Sequence, residues 1–229
     1  MGVDFRIRLV RDTTSAPIVP EKEPQYSQRL FVLEELFRVK PDGPGIAHRV
    51  REWLPPAVSL GWFDDAYNGM GGNRPPEERD TWDPNDVIDA VERLGEILRA
   101  HADDLPPFFR FHGPGGRRLG GYRMIVGDRR YLIRGRWGHV LATRVDAKGD
   151  SISGDSEAID LSGQREIRVR EMFIPLDPRR LEEDVLGPEF AIAIERETAE
   201  HHFRPDLDGM LRVARLALAK RHRLFTSID

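Results

Sequence analysis

Histidine is the side chain best suited to moving protons near neutral pH. Two of the seven histidines stand among arginines. His112 follows Arg110, and His139 follows Arg134 and Arg136. An imidazole beside guanidinium groups has the parts for acid–base work on a phosphoester, one group moving the proton while the others hold the anion. The sequence places no carboxylate partner beside either histidine, and ordinary surface histidines read the same way. A second set, Glu197, His201 and His202, has the atom types a metal takes, with Asp206 and Asp208 beyond. On a helix, Glu197 and His201 would lie one turn apart on one face. Nothing fixes a third ligand, so no metal and no other cofactor is expected. The glycine-rich basic stretch Phe111–Gly121 invites a phosphate-loop reading. It matches neither Gly-x-x-x-x-Gly-Lys-Ser/Thr nor a strand–Gly-x-Gly-x-x-Gly–helix, because β-forming sequence follows where a helix N-terminus is needed. It reads as the entry loop of a hairpin. No Gly-x-Ser-x-Gly or His-Glu-x-x-His motif occurs.

The larger set is arginine. Gly121–Arg144 reads as three short strands with tight turns: Tyr122–Val126, Arg129–Arg134 and His139–Val145. Aromatic and β-branched residues suit a pleated surface, and the Gly127-Asp128 and Gly135–Gly138 stretches suit hairpin turns. Successive side chains of a strand face opposite sides. Tyr131 and Ile133 then point one way, and Arg130, Leu132 and Arg134 the other. A further strand, Glu166–Ile174, turns Ile167, Val169 and Phe173 inward and Arg168 and Arg170 outward. Arg123, Arg130, Arg134, Arg144, Arg168 and Arg170 share one face if the register keeps them in phase; a single bulge scatters them. That face is a candidate site for an anion or an acidic partner. Residues 110–170 hold 13 basic and 7 acidic side chains in a chain whose net charge is −4, so the strands are basic inside an acidic protein. Acidic helices neutralising the arginines within the chain explain the same pattern.

A third candidate is Leu60–Asp80, read as a long glycine-rich loop carrying Trp62, Phe63, Asp64, Asp65, Tyr67 and Asn68. Long loops in compact domains tend to be functional or disordered, and aromatics beside carboxylates and an amide suit contact with a partner. Trp62 and Phe63 anchoring the segment to the core is the plainer alternative.

The elements that must position these groups follow from periodicity. Val3, Phe5, Ile7 and Leu9 alternate with Asp4, Arg6 and Arg8, a strand with one buried face that is expected to join the later meander. Helices are expected over Ser27–Arg38, Ile46–Leu54, Asn85–His101 (capped by Asp83 with Pro84 first), Pro178–Leu186 and Asp206–Leu224. Lys148–Gly163 reads as a polar connector. In Glu189–Glu195, Phe190, Ile192 and Ile194 alternate like a strand, while Ile192, Arg196, Ala199 and Phe203 fit a helix; a strand to about Glu195 is the reading taken. The fold class is therefore α+β: an antiparallel sheet of about five strands, with helices over one face. Residues 1–229 are expected to form a single domain, helix-rich over 1–107 and sheet-rich over 108–195, with a C-terminal helix over 206–224.

Composition narrows the function. With 39% hydrophobic and 32% charged residues, the chain reads as globular. It has no apolar run of about 18 residues and no apolar N-terminal signal, and Met1-Gly2 lacks the downstream Ser/Thr of a myristoylation site. With no cysteine, disulfides, thiolate metal sites and a cysteine nucleophile are excluded. A cytoplasmic location is expected, with no membrane partner. Arginine far outnumbers lysine, which fits a GC-rich bacterial genome. The expected role is a protein-binding module without catalysis, such as an immunity or antitoxin-type inhibitor. The alternative is an enzyme acting on a phosphate-bearing substrate through His112 or His139 and the nearby arginines. Nucleic acid ranks last as a partner, because stacking aromatics are sparse on the basic face.

Overall fold

The computed structural model describes residues 3–10, 24–38, 46–68, 81–116, 118–119, 122–126, 129–135, 137–146, 150–159, 163–173 and 185–228. The chain divides into two compact units, one of Met1–Leu105 with Glu200–Asp229, the other of Pro106–Ala199.

The first unit holds β1 (Asp4–Val10), β2 (Tyr26–Arg29), α1 (Leu30–Phe37), α2 (Ile46–Trp53), α3 (Gly61–Asn68), α4 (Pro84–Ala100), α5 (Ala199–Lys220, which begins at the unit boundary) and β11 (Arg223–Ile228). β1 is the middle of a three-stranded antiparallel sheet, β11-β1-β2. It therefore does not join the meander, as its alternation had suggested. The reason lies at the other end of the chain. Leu207, Leu211, Ala214, Leu218 and Phe225 keep a helical period in the sequence, but Arg221 takes a left-handed φ of 53° and stops α5 there. The residues beyond are released as β11, which runs against β1 from Phe5 opposite Ile228 to Val10 opposite Arg223. Phe5, Ile7, Leu9 and Val10 are all buried.

The stretch expected as a loop from Leu60 begins instead with α3. Trp62 and Phe63 are fully buried on it, within an aromatic cluster with Phe5 and Phe37. The Thr226 hydroxyl of β11 donates to the Trp62 carbonyl at 2.7 Å. Burying both aromatics on a short helix outweighs the loop signal of the glycines; residues 69–80 lie outside the described residues. α4 is capped as its sequence implies, with the Asp83 carboxylate accepting from the Asn85 N–H at 2.8 Å and Pro84 opening the helix. Asp206 on α5 is buried and accepts from the Tyr26 hydroxyl at 2.9 Å and from Gln28 Nε2 at 2.7 Å, both from β2. Burial, and then the Asp206 charge, push the Tyr26 phenol far above its ordinary value. Gly209, one turn along, makes room: a Cβ there would stand 2.8 Å from the Tyr26 ring. No helix among the described residues is long and apolar enough to cross a membrane.

The second unit holds β3 (Phe108–His112), a 3-10 turn at Pro114–Gly116, β4 (Arg118–Leu119), β5 (Tyr122–Val126), β6 (Arg129–Gly135), β7 (Val140–Val145), β8 (Ser151–Ile159), β9 (Glu166–Phe173) and β10 (Val185–Glu197). They form an eight-stranded antiparallel sheet in the order β4-β3-β10-β9-β5-β6-β7-β8. The α+β class and the antiparallel pairing therefore stand, but one five-stranded sheet becomes a three-stranded and an eight-stranded one. The expected connector supplies β8, whose serines and threonine-poor polar sequence hid a strand that pairs with β7 from Val140 opposite Ile159. Phe111–Gly121 supplies the end of β3, the turn and β4. The helix expected over Pro178–Leu186 falls on residues outside the description up to 184, while Val185 and Leu186 belong to β10.

One face of this sheet is apolar. Phe109, Phe111, Tyr131, Ile133, Val140, Ala142, Val169, Ile192 and Ile194 form a single buried cluster. A flat sheet cannot bring β3 and β6 together, since β10, β9 and β5 lie between them. Yet Phe108 bridges to Trp137, the Gly138 N–H donates to the Pro107 carbonyl at 2.8 Å, and Gly135 lies against the Phe109 backbone. The sheet is therefore curled with the apolar face inside. A Cβ on Gly135 would fall 1.7 Å from the Phe109 carbonyl oxygen, and backbone cannot swing aside as a side chain can. Gly135→Ala should cost roughly 2–3 kcal/mol, at the upper end for overpacking, measured by urea unfolding; an unchanged midpoint would mean that β3 and β6 do not meet.

Candidate functional site

Residues directly opposite each other in an antiparallel pair project to the same face. This rule decides where the arginines go. Arg170 stands opposite Ile125, and Ile125 opposite Arg130. With a period of two, Arg168, Arg170, Arg123, Arg130 and Arg134 share the face away from the apolar cluster. Arg134, Arg168 and Arg170 are exposed and Arg130 is half-buried; only the backbone position of Arg123 is described. Arg144 does not belong with them. It stands opposite Tyr131, in phase with the apolar face, and the β7–β8 register shifts between Thr143 and Val145. That bulge buries Val145 and leaves Arg144 exposed at the rim.

The outward face has two halves of different chemistry. On β3 and β10 the charges pair within the sheet. Arg110 ion-pairs with Glu197, whose side chain is only 5% exposed. His112 Nε2 lies 2.8 Å from Glu195 Oε2. His112 Nδ1 lies 3.4 Å from the Gly116 carbonyl oxygen. Both ring nitrogens thus face acceptors within the chain, and neither is turned toward a substrate, as a general base requires. On β9 and β6 the exposed arginines are more loosely held. Arg168 meets Glu189 at 3.7 Å, both well exposed, an arrangement worth little in water. Arg134 and Arg170 form no ion pair among the described residues. Along one cross-strand row the order is Glu189, Arg170, Ile125, Arg130. At about 4.8 Å per strand, Arg170 and Arg130 stand roughly 10 Å apart with Ile125 between them.

A feature that the alternation does not announce lies beside these arginines. β10 passes from Leu186 opposite Met172 to Glu189 opposite Arg170, so residues 187 and 188 oppose Glu171 alone. This is a β-bulge, and it falls on Gly187-Pro188. Proline cannot donate to a ladder, so such a pair inside a strand marks a bulge. Next to the bulge is a cavity of about 230 Å³ lined by Arg168, Glu189, Phe190 and Ala191.

The other sequence candidates lie apart from this face. His139 is exposed in the bend before β7. Glu197 is in β10, not on a helix, so the one-turn spacing with His201 is not formed. His201 and His202 belong to the first turns of α5, where the His202 ring stacks edge-on against Phe203 at 4.9 Å. No three His, Asp or Glu side chains among the described residues could together hold a metal. On α3, Trp62 is core. Asp64 accepts from both terminal nitrogens of Arg51, at 3.1 and 2.7 Å. Arg38 lies over the Tyr67 ring at 4.5 Å from its centroid. Asp65 is exposed, and the Asn68 side chain is outside the description. These polar groups tie α1, α2 and α3 together. No protein-family model, curated protein or solved structure matches the chain.

The two halves of the outward face should respond differently to mutation. Arg110→Ala leaves the buried Glu197 carboxylate without its cation and should cost about 3 kcal/mol in chemical unfolding. Arg110→Ala with Glu197→Gln should recover at least half of that. A loss well under ~1 kcal/mol for the single variant would show the pair to be ornamental.

Proposed function

We propose that this chain is a non-catalytic binding module that takes an acidic surface of another protein on the outward face of its larger sheet. One observation carries the reading: the strand register holds the arginines of β9 and β6 in phase on that face, with Arg134, Arg168 and Arg170 exposed. Like charges on neighbouring strands disfavour each other unless an anion compensates. Glu189 supplies Arg168 with one weakly held carboxylate, and an acidic partner would compensate Arg134 and Arg170. The chemistry favours protein over nucleic acid, because the face offers Leu132 between its arginines and, among the described side chains, no aromatic platform for stacking bases. It also favours binding over catalysis, since His112 is engaged at both nitrogens and His139 lies in a bend with no described partner acid. A cytoplasmic bacterial inhibitor of the immunity or antitoxin type would use such a face, and the arginine-over-lysine, cysteine-free composition supports that setting.

The test uses fluorescein-labelled poly-L-glutamate and a single-stranded DNA oligonucleotide as probes, read by anisotropy at low and high ionic strength. Arg134→Gln with Arg170→Gln should weaken poly-L-glutamate binding at least about tenfold, the scale of one lost charge-assisted contact, and should flatten its salt dependence. Stability should stay within ~0.5 kcal/mol. Arg99→Gln with Arg212→Gln, on exposed helical sites of the other unit, should leave binding unchanged. A clear loss of stability with unchanged binding would overturn the reading, and so would tighter binding of the DNA probe.

A further inference from the structure

Glu189 faces the arginines because of the bulge. It lies three residues after Leu186, and strict alternation would turn the two to opposite faces. β10 instead carries one extra residue at 187 and 188, so Leu186 pairs with Met172 and Glu189 with Arg170, which are only two residues apart on β9. Glu189 thereby joins Arg168 and Arg170 on the outward face. Phe190 beside it stands opposite Val169 and packs against the apolar cluster.

Arg170 stands directly opposite Glu189, yet the Glu189 carboxylate pairs with the diagonal neighbour, with Oε1 3.7 Å from Arg168 Nη1. The space between them lies over Ala191, which stands opposite Arg168 and carries only a methyl group. There the cavity of about 230 Å³ opens. With the Phe190 ring turned inward, the side chains left to face it are Arg168, Glu189 and Ala191. Such walls suit a charged occupant that keeps some water, and Glu189 is one. Its hold on Arg168 is weak. At 3.7 Å the contact is longer than a hydrogen bond, and exposed ion pairs contribute little in water. A carboxylate that meets the guanidinium fork squarely forms two short charge-assisted bonds, which Glu189 does not form from its place on the neighbouring strand.

We infer that Glu189 is a built-in competitor: it occupies the carboxylate seat at Arg168 that an Asp or Glu side chain of the acidic partner takes, and the partner binds by displacing it. The inference rests on the binding-face reading and adds the regulation of that face. Arg170 has no ion pair among the described residues and takes the first partner carboxylate. Arg168 takes a second once Glu189 swings away. The two arginines are alternate residues, about 7 Å apart along β9, so a partner must offer carboxylates at a matching spacing. A lone carboxylate gains little over Glu189 itself. The device therefore selects densely acidic surfaces over singly charged ones.

Two variants of the full chain remove the same charge from the same face, and labelled poly-L-glutamate reads the difference. One is Glu189→Gln. The other is Glu166→Gln, two residues from Arg168 on β9 and opposite Ala193, with no ion pair among the described residues. Glu189→Gln should tighten binding roughly threefold to fivefold, the scale of one exposed ion pair, and Glu166→Gln by less than half as much. In an Arg168→Gln background the extra gain from Glu189→Gln should vanish. All three side chains are exposed, and matching urea midpoints show the variants folded. Equal gains from the two glutamates would make Glu189 one charge in a general field and refute the competitor. A gain that survives Arg168→Gln would refute it, and so would weaker binding by Glu189→Gln, which would mean that Glu189 orients Arg168 for the partner. In each of these cases the arginine face still stands on the binding of the unmodified chain. If the unmodified chain does not bind poly-L-glutamate and Glu189→Gln does not either, the face reading fails and the competitor fails with it.

Discussion

The larger sheet rests on the two-residue period of its strands, carried from strand to strand by antiparallel pairing. Ile125 faces Arg170 on one side and Arg130 on the other, so a choice made on β5 fixes the faces of β9 and β6. Slipping any pair by one residue would turn Val169 and Ile133 outward and drive Arg168, Arg170 and Arg134 into the apolar interior. The core thus enforces the arginine face. Curling of the sheet sharpens the division, because the apolar side closes on itself around Phe109, Tyr131 and Ile192 while the other side stays convex and open to charge.

Within that face the two halves answer the same problem differently. β3 and β10 place Arg110 against Glu197 and His112 against Glu195. There Arg110 and Glu197 are largely buried, so losing either partner strands a desolvated charge. On β9 and β6, Arg134, Arg168 and Arg170 are exposed to water, where a guanidinium costs little to keep. The bulge at residues 187 and 188 lies on the side of β10 that meets β9, where the open half begins. Paired and exposed charges are thereby separated along the width of one sheet, and substitutions at Arg110 and at Arg170 should have different consequences for that reason.

What the sequence makes legible is what depends on local alternation. Tyr131 and Ile133 against Arg130 and Arg134, Val169 against Arg168 and Arg170, and Phe5, Ile7 and Leu9 on β1 all carry their faces in their own spacing. Arg144 does not, because its phase is set by a bulge between Thr143 and Val145 that no turn residue marks. The partner of β1 was hidden as well. β11 follows a helix whose apolar period runs on into it, and Arg221 gives no glycine-like warning of the left-handed stop. Trp62 and Phe63 misled in the opposite direction, since glycines and carboxylates around them suggested a loop where long-range burial against Phe5 and Phe37 makes a helix. The bulge at residues 187 and 188 becomes visible only once β9 is seen beside β10.

The central claim is that the in-phase arginines of β9 and β6 form a binding face. Amide chemical-shift mapping with poly-L-glutamate tests it most directly. The largest shifts should fall on Arg130, Arg134, Arg168 and Arg170 and on Glu189–Ala191, and they should fade as salt is raised. Shifts centred on the arginines of α5, or spread evenly over both units, would contradict it.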